Sequence, residues 1–550
     1  MGSNAPRPAH YDRAVLRPTW RAWLLPLFVC GLFAGSGEAA ADSRAALQQA
    51  AILVQQGKLD EAAHELQPAL TDPDTRAVAH SVLGTIRFQQ QRFDESAKVL
   101  EEAIRLEPRL IGAHLTLAQL CLVRNQSERA LRLYRRVLEL DPVSVPARLA
   151  LAAAELEKGN PKQALTLAEP VIPALRESPE GLIVLASAYV KTGETAAAAA
   201  LTSDWARLTV RGAAPAPSSA HADPAEVPQA AALKFALVLF EGKLVDQSLE
   251  VLDRAREVGP PSYELAFNLG GAYLMKGDVP RALEFYDAAL SFRPESNETL
   301  RIAASLAERN GELERALSYW MRAKKLAPDD PDALFGFGRV CLKMDLLDDA
   351  EPALTRAASL RPTEIPYVYT LAAAKVGKRQ YDAARELIEP LVRKHPEDPH
   401  LQYALGSLLY TQGQLQPAAE HLRESIRLQP DQLASYYYLA LVARDQGNNP
   451  EAMAILEKLR REHSDHAASA ETLGTLLMGA QRYDEAEQNL RTAVELNPES
   501  MRANYQLGLL LARMGRKEEA DRQLAHAKTL REKDESRLQL RLIDPEEVEK

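Results

Sequence analysis

The chain has 550 residues, more than one hydrophobic core usually organises, so several domains or a repeat array are expected. Hydrophobic residues make up 46% of it but aromatic residues only 6%, a composition that favours packed helices over sheets. The formal charge of −10, from 66 basic and 76 acidic residues, argues against binding to the phosphate backbone of nucleic acid.

The first 41 residues have the pattern of an export signal. Arginines precede the apolar stretch 22–34, and a run of small residues ends at Ala41. The apolar stretch is interrupted by Pro26 and is shorter than the ~20 residues of a membrane-spanning helix. Cys30 follows Val29 instead of a small residue, which argues against a lipoprotein. We expect cleavage after Ala41 and export to the periplasm or cell envelope of a bacterium, with anchoring by an uncleaved segment as the alternative.

A 34-residue pattern fills most of the remaining chain. Residues 263–296 show it clearly: small and apolar residues recur on one helical face up to Gly277, and a second such helix ends before Pro294. Steps of 34 residues repeat the unit five times over 43–212 and nine times over 229–534. The pattern predicts a series of antiparallel helical hairpins.

Two places in the unit carry only small side chains. The twentieth place is alanine in twelve units and serine in the other two, Ser96 and Ser248. The eighth place is glycine or alanine throughout: Ala50, Gly84, Ala118, Ala152, Ala186, Ala236, Gly270, Ala304, Gly338, Ala372, Gly406, Ala440, Gly474 and Gly508. Since a large side chain at the eighth place would hold the two helices apart, we expect close helix approach there.

The pattern resembles the tetratricopeptide repeat, in which Leu-Gly, Tyr, Ala, Phe and Pro recur at fixed places in 34 residues. The resemblance implies an all-α, right-handed superhelical solenoid of about 14 antiparallel helix-turn-helix repeats. It also implies a concave surface that is lined by the first helices and receives peptides or partner proteins.

Several segments depart from the repeat. Residues 213–228, rich in Ala, Pro and Ser, are predicted to link two arrays that form either separate solenoids or one slightly broken superhelix. Residues 535–550 are predicted to be a capping helix and a tail. Prolines inside second helices predict kinks or irregular packing at Pro68, Pro170, Pro173 and Pro390.

The fifth place of the unit points inward in the family, and from the seventh unit onward it is mostly aromatic. Tyr410 and nearby cations, Lys343 among them, extend this series. The candidate partner-binding residues are Phe267, Phe335, Arg339, Tyr369, Tyr403, Tyr410, Tyr437, Arg444 and Tyr505. Tyr and Arg dominate many interfaces, which favours a peptide or protein groove centred on 335–445. The alternative is that these rings only pack helices together.

Other ligand sites have weaker support. No three consecutive units supply the Lys and Asn residues of the family's carboxylate clamp, and only Asn268 stands where an asparagine ladder would run. The cluster at 463–466 has two histidines and an aspartate but lacks further metal ligands, so we expect a polar turn. Cys121 and Cys341 occupy apolar places and are expected to be buried thiols.

The repeats leave little room for a catalytic domain, and the chain has no P-loop, dinucleotide fingerprint or nucleophile elbow. We predict a non-catalytic scaffold or adaptor without cofactor or metal, which binds protein or peptide partners in cell-envelope assembly or secretion. Nucleic acid is not an expected partner, and membrane association would come only from an uncleaved signal or a complex. The alternatives are an accessory subunit of an envelope enzyme, such as a glycosyltransferase or peptidase, and a stand-alone enzyme.

Overall fold

The computed structural model describes residues 38–210 and 226–540. Throughout these ranges the regular structure is helical, with thirty α-helices and one short 3₁₀ segment. The predicted export signal therefore lies outside the described residues, apart from the four residues 38–41 at the start of the first helix. Most of the predicted linker and the end of the predicted tail also lie outside them.

Fourteen hairpins follow one another, each with a first helix (helix A) and a second helix (helix B). The A helices are α1 (Glu38–Gln55), α4 (Arg76–Gln89), α6 (Ile111–Val123), α8 (Val145–Glu157), α11 (Pro179–Thr192), α13 (Glu226–Glu241), α15 (Tyr263–Lys276), α17 (Asn297–Arg309), α19 (Pro331–Lys343), α21 (Ile365–Gly377), α23 (Pro399–Thr411), α25 (Leu433–Asp445), α27 (Ala467–Gly479) and α29 (Met501–Arg513). The B helices are α2 and α3 (Leu59–Glu65 and Gln67–Thr71), α5 (Phe93–Leu106), α7 (Ser127–Leu140), α9 and α10 (Pro161–Ala168 and Ile172–Leu175), α12 (Thr195–Val210), α14 (Val245–Val258), α16 (Val279–Phe292), α18 (Leu313–Leu326), α20 (Leu347–Leu360), α22 (Tyr381–Lys394), α24 (Leu415–Leu428), α26 (Asn449–Glu462), α28 (Tyr483–Leu496) and α30 (Lys517–Leu540). The predicted all-α array of fourteen helical hairpins is confirmed.

The chain divides into two compact units, Met1–Glu312 and Leu313–Lys550, called unit 1 and unit 2 below. The division falls between the two helices of the eighth hairpin. Within unit 1, the helices on either side of the predicted linker contact each other: α11 packs against α13. The rings of Trp205 and Phe235 stack there, with centroids 4.9 Å apart. The fifth and sixth hairpins are therefore packed neighbours.

The two helices of a hairpin approach closely at the eighth place, as predicted. A methyl group added at Gly84 would lie 2.5 Å from the side chain of Leu100, and one added at Gly338 would lie 2.5 Å from Leu354. Both distances are well below the ~3.5–4.0 Å of ordinary carbon contacts. These close contacts explain why Gly84 and Gly338 carry no side chain.

The twentieth place is buried in all hairpins, and its two serines add a hydrogen bond between helices. Ser96 Oγ donates to the carbonyl oxygen of Gly84 at 2.7 Å, and Ser248 Oγ donates to that of Ala236 at 3.0 Å. Both acceptors stand at the eighth place of the same hairpin. A small hydroxyl is therefore accepted here because it has a backbone partner.

Each hairpin turn has one residue in the left-handed region, at the fifteenth place of the unit. Eight of these residues are glycines, with φ between 74° and 86°. The other six, with φ between 57° and 62°, are Gln91, Asn125, Lys243, Asp345, Arg379 and Gln481. Left-handed backbone is easy for glycine and costs most other residues free energy.

Prolines at the twenty-sixth place have different effects. The B helix of the first hairpin is divided between Glu65 and Gln67, just before Pro68, and a 3₁₀ segment containing Pro170 divides that of the fourth. Pro390 stands at the equivalent place, but α22 runs through it without interruption. The predicted irregularity is therefore confirmed in the first and fourth hairpins, while the helix of the tenth stays continuous.

A polar contact between neighbouring hairpins recurs at the turns, and it was not predicted. It joins the eighteenth place of one hairpin, an aspartate, to the fourteenth place of the next. The pairs are Asp60 with Gln90, Asp94 with Arg124, Asp246 with Lys276, Asp348 with Lys378, and Asp382 with Gln412, all at 2.6–2.9 Å. Each pair is exposed, so each contributes little stability alone, roughly 0–1 kcal/mol.

Cys121 and Cys341 are free thiols and are buried, as predicted. Burial raises the pKa of the Cys341 thiol to about 11, so it stays protonated at neutral pH. Among the described helices, none combines the length and the apolar character needed to cross a membrane.

Candidate protein-interaction surface

The fifth place of helix A is buried in the third to seventh hairpins and partly exposed in unit 2. From the third to the seventh hairpin it holds Leu115, Leu149, Ile183, Leu233 and Phe267, which expose 2–7% of their surface. In unit 2 its aromatic residues are Phe335, Tyr369, Tyr403 and Tyr437, which are partly buried, and Tyr505, which exposes 46%. Solvent therefore reaches the aromatic series only in unit 2.

Phe267 belongs to the core of its hairpin. Its ring stacks on Tyr263 and meets Tyr286 edge-on, with both centroid separations 5.7 Å, and only 6% of the residue is exposed. So little surface leaves no room for a partner. The prediction that placed Phe267 at the binding surface is corrected, because the fifth place does not face solvent in that hairpin.

Phe335 forms a stacked pair between two neighbouring A helices. Its ring lies 4.5 Å from that of Tyr367 on α21, and the Arg339 guanidinium carbon lies 5.2 Å from the Phe335 centroid. The Tyr367 hydroxyl donates a hydrogen bond to Asp332 on α19. Burial, together with this carboxylate, raises the pKa of Tyr367 to about 12. Tyr367, which was not predicted, thus holds Phe335 in place.

A cluster of tyrosines joins α23 to α25. Tyr438 is at its centre and meets Tyr403, Tyr410 and Tyr437 at centroid separations of 5.8, 5.7 and 6.0 Å. The interplanar angles are 72°, 80° and 81°, the edge-to-face arrangement that aromatic rings favour. Tyr438 was not predicted because it stands at the sixth place, although three consecutive tyrosines in α25 were a visible signal.

The charges beside the cluster are paired. Arg444 Nε donates to one carboxylate oxygen of Asp445 at 2.7 Å, and Tyr410 donates to the other at 2.8 Å. Arg444 also donates to the Tyr410 oxygen at 3.2 Å. The Arg444 guanidinium is the main cause that lowers the pKa of Asp445, whereas burial and that carboxylate raise the pKa of Tyr410 to about 12. Arg444 therefore orients Tyr410 and is not an unpaired cation.

Tyr437 connects the cluster to the next hairpin. Its oxygen lies 3.3 Å from Thr472 Oγ1 on α27, and its ring centroid lies 5.4 Å from that of His466. Nδ1 of His466 accepts a hydrogen bond from the backbone N–H of Ser469 at 3.1 Å and so caps α27. The polar turn expected at 463–466 is thus a helix cap. Within the part of the chain that the structure describes, no group of three or more acidic, His or Cys residues is placed to hold a metal ion.

Three hydroxyls of the series have no protein partner among the described residues: those of Tyr369, Tyr403 and Tyr438. Burial raises the pKa of Tyr403 to about 12 and also raises the pKa values of the other two. All three therefore stay protonated near neutral pH, where each can donate a hydrogen bond.

Tyr505 stands apart from the cluster. The fifth place between Tyr437 and Tyr505 is Glu471, which accepts from Ser500 at 3.2 Å and pairs with Arg502 at 2.9 Å. The structure therefore brings together Tyr403, Tyr410, Tyr437 and Arg444, and it places Phe335 and Arg339 beside Tyr367. Tyr369 stands at the fifth place of α21, between these two groups in the chain. We call the set Phe335, Arg339, Tyr369, Tyr403, Tyr410, Tyr437, Tyr438 and Arg444 the tyrosine surface.

Comparison with sequence models of protein families identifies the family of this chain. Models described as tetratricopeptide repeat match residues 40–110, 233–297, 303–365, 369–432, 411–467 and 471–525, and further models of this repeat match 124–181 and 111–136. These segments cover well over half of the chain, which therefore belongs to the tetratricopeptide repeat family. Proteins of this family typically act as scaffolds that bind peptides or other proteins.

Several solved structures are similar to this chain at low identity. A tetratricopeptide repeat protein from Parabacteroides merdae is 19% identical, with 46% of this chain and 99% of that chain covered and a TM-score of 0.38. Yeast Tom70 is 15% identical, with 84% and 97% covered and a TM-score of 0.35. YrrB, described as having an unusual peptide-binding site, is 21% identical, with 34% and 95% covered and a TM-score of 0.29. No curated protein matches the chain significantly.

Proposed function

We propose that this protein is a non-catalytic scaffold that holds a peptide or partner protein on the tyrosine surface of unit 2. The observation that carries the proposal is the contrast at the fifth place. The same place is buried and mostly aliphatic in the third to seventh hairpins, but is aromatic and open to solvent at Tyr369, Tyr403 and Tyr437. Leucine and isoleucine satisfy packing at this place in unit 1, so packing alone does not require aromatic rings that stay partly open to solvent.

Several rings of the tyrosine surface are already held by neighbouring side chains before any partner arrives. Asp445 and Arg444 hold Tyr410, Thr472 holds Tyr437, and both rings contact Tyr438, as does Tyr403. Immobilising a free side chain costs roughly 0.5–1.5 kcal/mol on binding, and rings that are already held avoid most of that cost. A preformed aromatic surface is therefore suited to binding.

Affinity capture with matched variants tests this function. The full chain serves as bait, and the double variant Tyr403→Ala, Tyr437→Ala is compared with Tyr436→Ala, whose ring faces Lys458 on α26. We expect the wild type and Tyr436→Ala to retain a partner protein that the double variant loses. The affinity of the double variant for that partner should fall about tenfold or more. Circular dichroism should show the same helix content in all three. Equal capture by the double variant would refute the site.

We also propose that the protein is exported and works in envelope assembly or secretion. The support is the basic and apolar pattern of residues 1–41 together with the length of α1. That helix has 18 residues, whereas α4 and α15 have 14. Cleavage after Ala41 would remove its first four residues and leave an A helix of the usual length.

The N-terminus of the protein isolated from cells tests export. We expect the mature chain to begin at Asp42 and to be found in the periplasmic or envelope fraction. As the control, Ala39→Lys, Ala41→Lys should block cleavage, because signal processing needs small residues before the cut. A chain that keeps Met1 and stays in the cytosolic fraction would contradict export, while leaving the binding proposal untouched.

A further inference from the structure

We propose that the tyrosine surface recognises a proline-rich segment in the extended polyproline II conformation, with prolyl rings seated against the tyrosine rings. This inference rests on the proposed function, because it names the chemistry of the partner for the same surface. It is carried by three properties of the surface: its hydrogen-bonding groups, its charge and its repeat spacing.

The surface offers hydrogen-bond donors, while its carboxylates are engaged. The hydroxyls of Tyr369, Tyr403 and Tyr438 have no partner in the described protein, whereas both oxygens of Asp445 already accept hydrogen bonds. Asp332 accepts from Tyr367. A polyproline II segment presents carbonyl groups without internal hydrogen bonds, and each proline lacks an N–H. Such a segment needs donors from its receptor and few acceptors.

The charge of the surface disfavours an acidic ligand. Arg444 is held by Asp445 and Tyr410, and Arg339 lies over the ring of Phe335. An acidic peptide would therefore meet an arginine whose charge is already neutralised by Asp445. A neutral, proline-rich segment leaves these contacts intact.

The rings form walls that suit a prolyl ring. Tyr403, Tyr410 and Tyr437 each meet Tyr438 edge-to-face, which leaves ring faces turned in different directions along α23 and α25. Aromatic-lined grooves are a recurring way to bind polyproline II segments, whose preformed extended shape costs little entropy to fix.

The spacing of packed A helices suits that of the ligand. Tyr403 and Tyr437 come from successive A helices, α23 and α25, which pack against each other. Packed helices lie about 8–10 Å apart, and three residues of polyproline II span roughly 9.3 Å. Two prolines three residues apart would therefore meet one tyrosine on each of these two helices.

The binding experiment uses the full chain and four synthetic peptides of equal length. One has proline at every third residue among small neutral residues, and a second has the same composition with its prolines grouped together. The third is rich in glutamate and lacks proline, and the fourth is an amphipathic helix former. Isothermal calorimetry or fluorescence polarisation gives the affinities at two salt concentrations.

We expect the first peptide to bind about tenfold more tightly than each of the other three, with little dependence on salt. Tyr403→Phe should lower the affinity for the first peptide by roughly threefold to tenfold, since it removes one hydrogen bond and keeps the ring. Tyr403→Ala should lower this affinity further, and Tyr436→Ala should change the affinity by less than about twofold. Tighter binding of the acidic or the helical peptide, or equal binding of the grouped-proline peptide, would overturn the proposal.

The two proposals fail separately. If no proline peptide binds but Tyr403→Ala, Tyr437→Ala still loses its captured partner, the tyrosine surface is a binding site and the polyproline chemistry is wrong. If the double variant keeps its partner and no peptide binds, both the site and its proposed ligand are wrong.

Discussion

At the scale of single residues, the fifteenth place shows how local backbone geometry limits the sequence. All fourteen hairpin turns need one residue with positive φ, and glycine supplies it in eight of them. The remaining six, such as Arg379 and Gln481, adopt the same backbone with a side chain attached. Since left-handed backbone costs an L-residue about 1–2 kcal/mol, these turns carry avoidable strain.

Glycine at these places should stabilise the protein. We expect Arg379→Gly and Gln481→Gly each to raise the free energy of unfolding by about 0.5–1 kcal/mol, because relief of strain exceeds the entropy that glycine loses on folding. Urea unfolding followed by circular dichroism measures the change. Gly413→Ala, at the same place with φ of 74°, is the matched opposite and should destabilise. A loss of stability in both glycine variants would show that no strain is stored there.

The binding residues illustrate a second limit at this scale. Their places in the repeat led to the prediction of Tyr403, Tyr410 and Tyr437 as binding residues, and all three meet in one cluster. The same reasoning also predicted Phe267, which is buried, and did not predict Tyr438. The difference depends on neighbouring side chains from other helices, since Tyr263 and Tyr286 cover Phe267. A repeat register alone does not contain that information.

At the scale of helices, capping and breaks are set by a few polar or cyclic residues. His466 caps α27 through a neutral Nδ1, which must be unprotonated to accept from Ser469. Burial lowers the pKa of His466, with a smaller opposing effect from Asp465. Arg460 and His463 add repulsion to the protonated form, and Tyr437 packs on the ring.

This cap predicts a local pH dependence. Because the folded-state pKa of His466 lies below its unfolded value of 6.5, the cap's contribution is fully present above pH 6.5. It should fall as the pH drops through the folded pKa, since the unfolded chain then binds the proton more readily. Hydrogen exchange of the first amides of α27, compared at pH 7.5 and pH 5 after correction for intrinsic rates, should show loss of protection.

His466→Asn is the control for the cap, because asparagine caps helices without titrating. We expect protection of these α27 amides to become nearly independent of pH in that variant. His80 and His421, whose pKa values are also lowered by burial, remain in both proteins, so the comparison isolates His466. An unchanged pH dependence would assign the effect to another group.

At the scale of the whole molecule, the two units and the packed neighbours within them determine how far a local change spreads. In a repeat array each hairpin depends mainly on adjacent hairpins. The fifth and sixth hairpins pack together through Trp205 and Phe235 although a segment rich in Pro and Ala separates them in sequence. Their contact couples the hairpins on either side of that segment.

Trp205→Ala should therefore affect unit 1 alone. Trp205 exposes only 3% of its surface, and removing a buried tryptophan side chain costs about 3–5 kcal/mol. Hydrogen exchange with mass spectrometry should show lower protection in α11 to α14 and no change in residues 313–532. Trp320→Ala, at a residue that exposes 4%, is the counterpart in unit 2 and should leave α11 to α14 unchanged. Loss of protection along the entire chain from either variant would contradict nearest-neighbour coupling.

The sequence by itself determined the repeat: its 34-residue length, its fourteen hairpins and the small residues at the eighth and twentieth places. These features are local, because helix periodicity, turn residues and hairpin contacts such as Gly84 with Leu100 all lie within one unit. Only the tertiary structure decided which fifth-place residues reach solvent, that Tyr438 is the centre of the cluster, and that the fifth and sixth hairpins pack across the predicted linker. Those properties arise from contacts between different units, where exposure and pairing depend on the shapes of both neighbours.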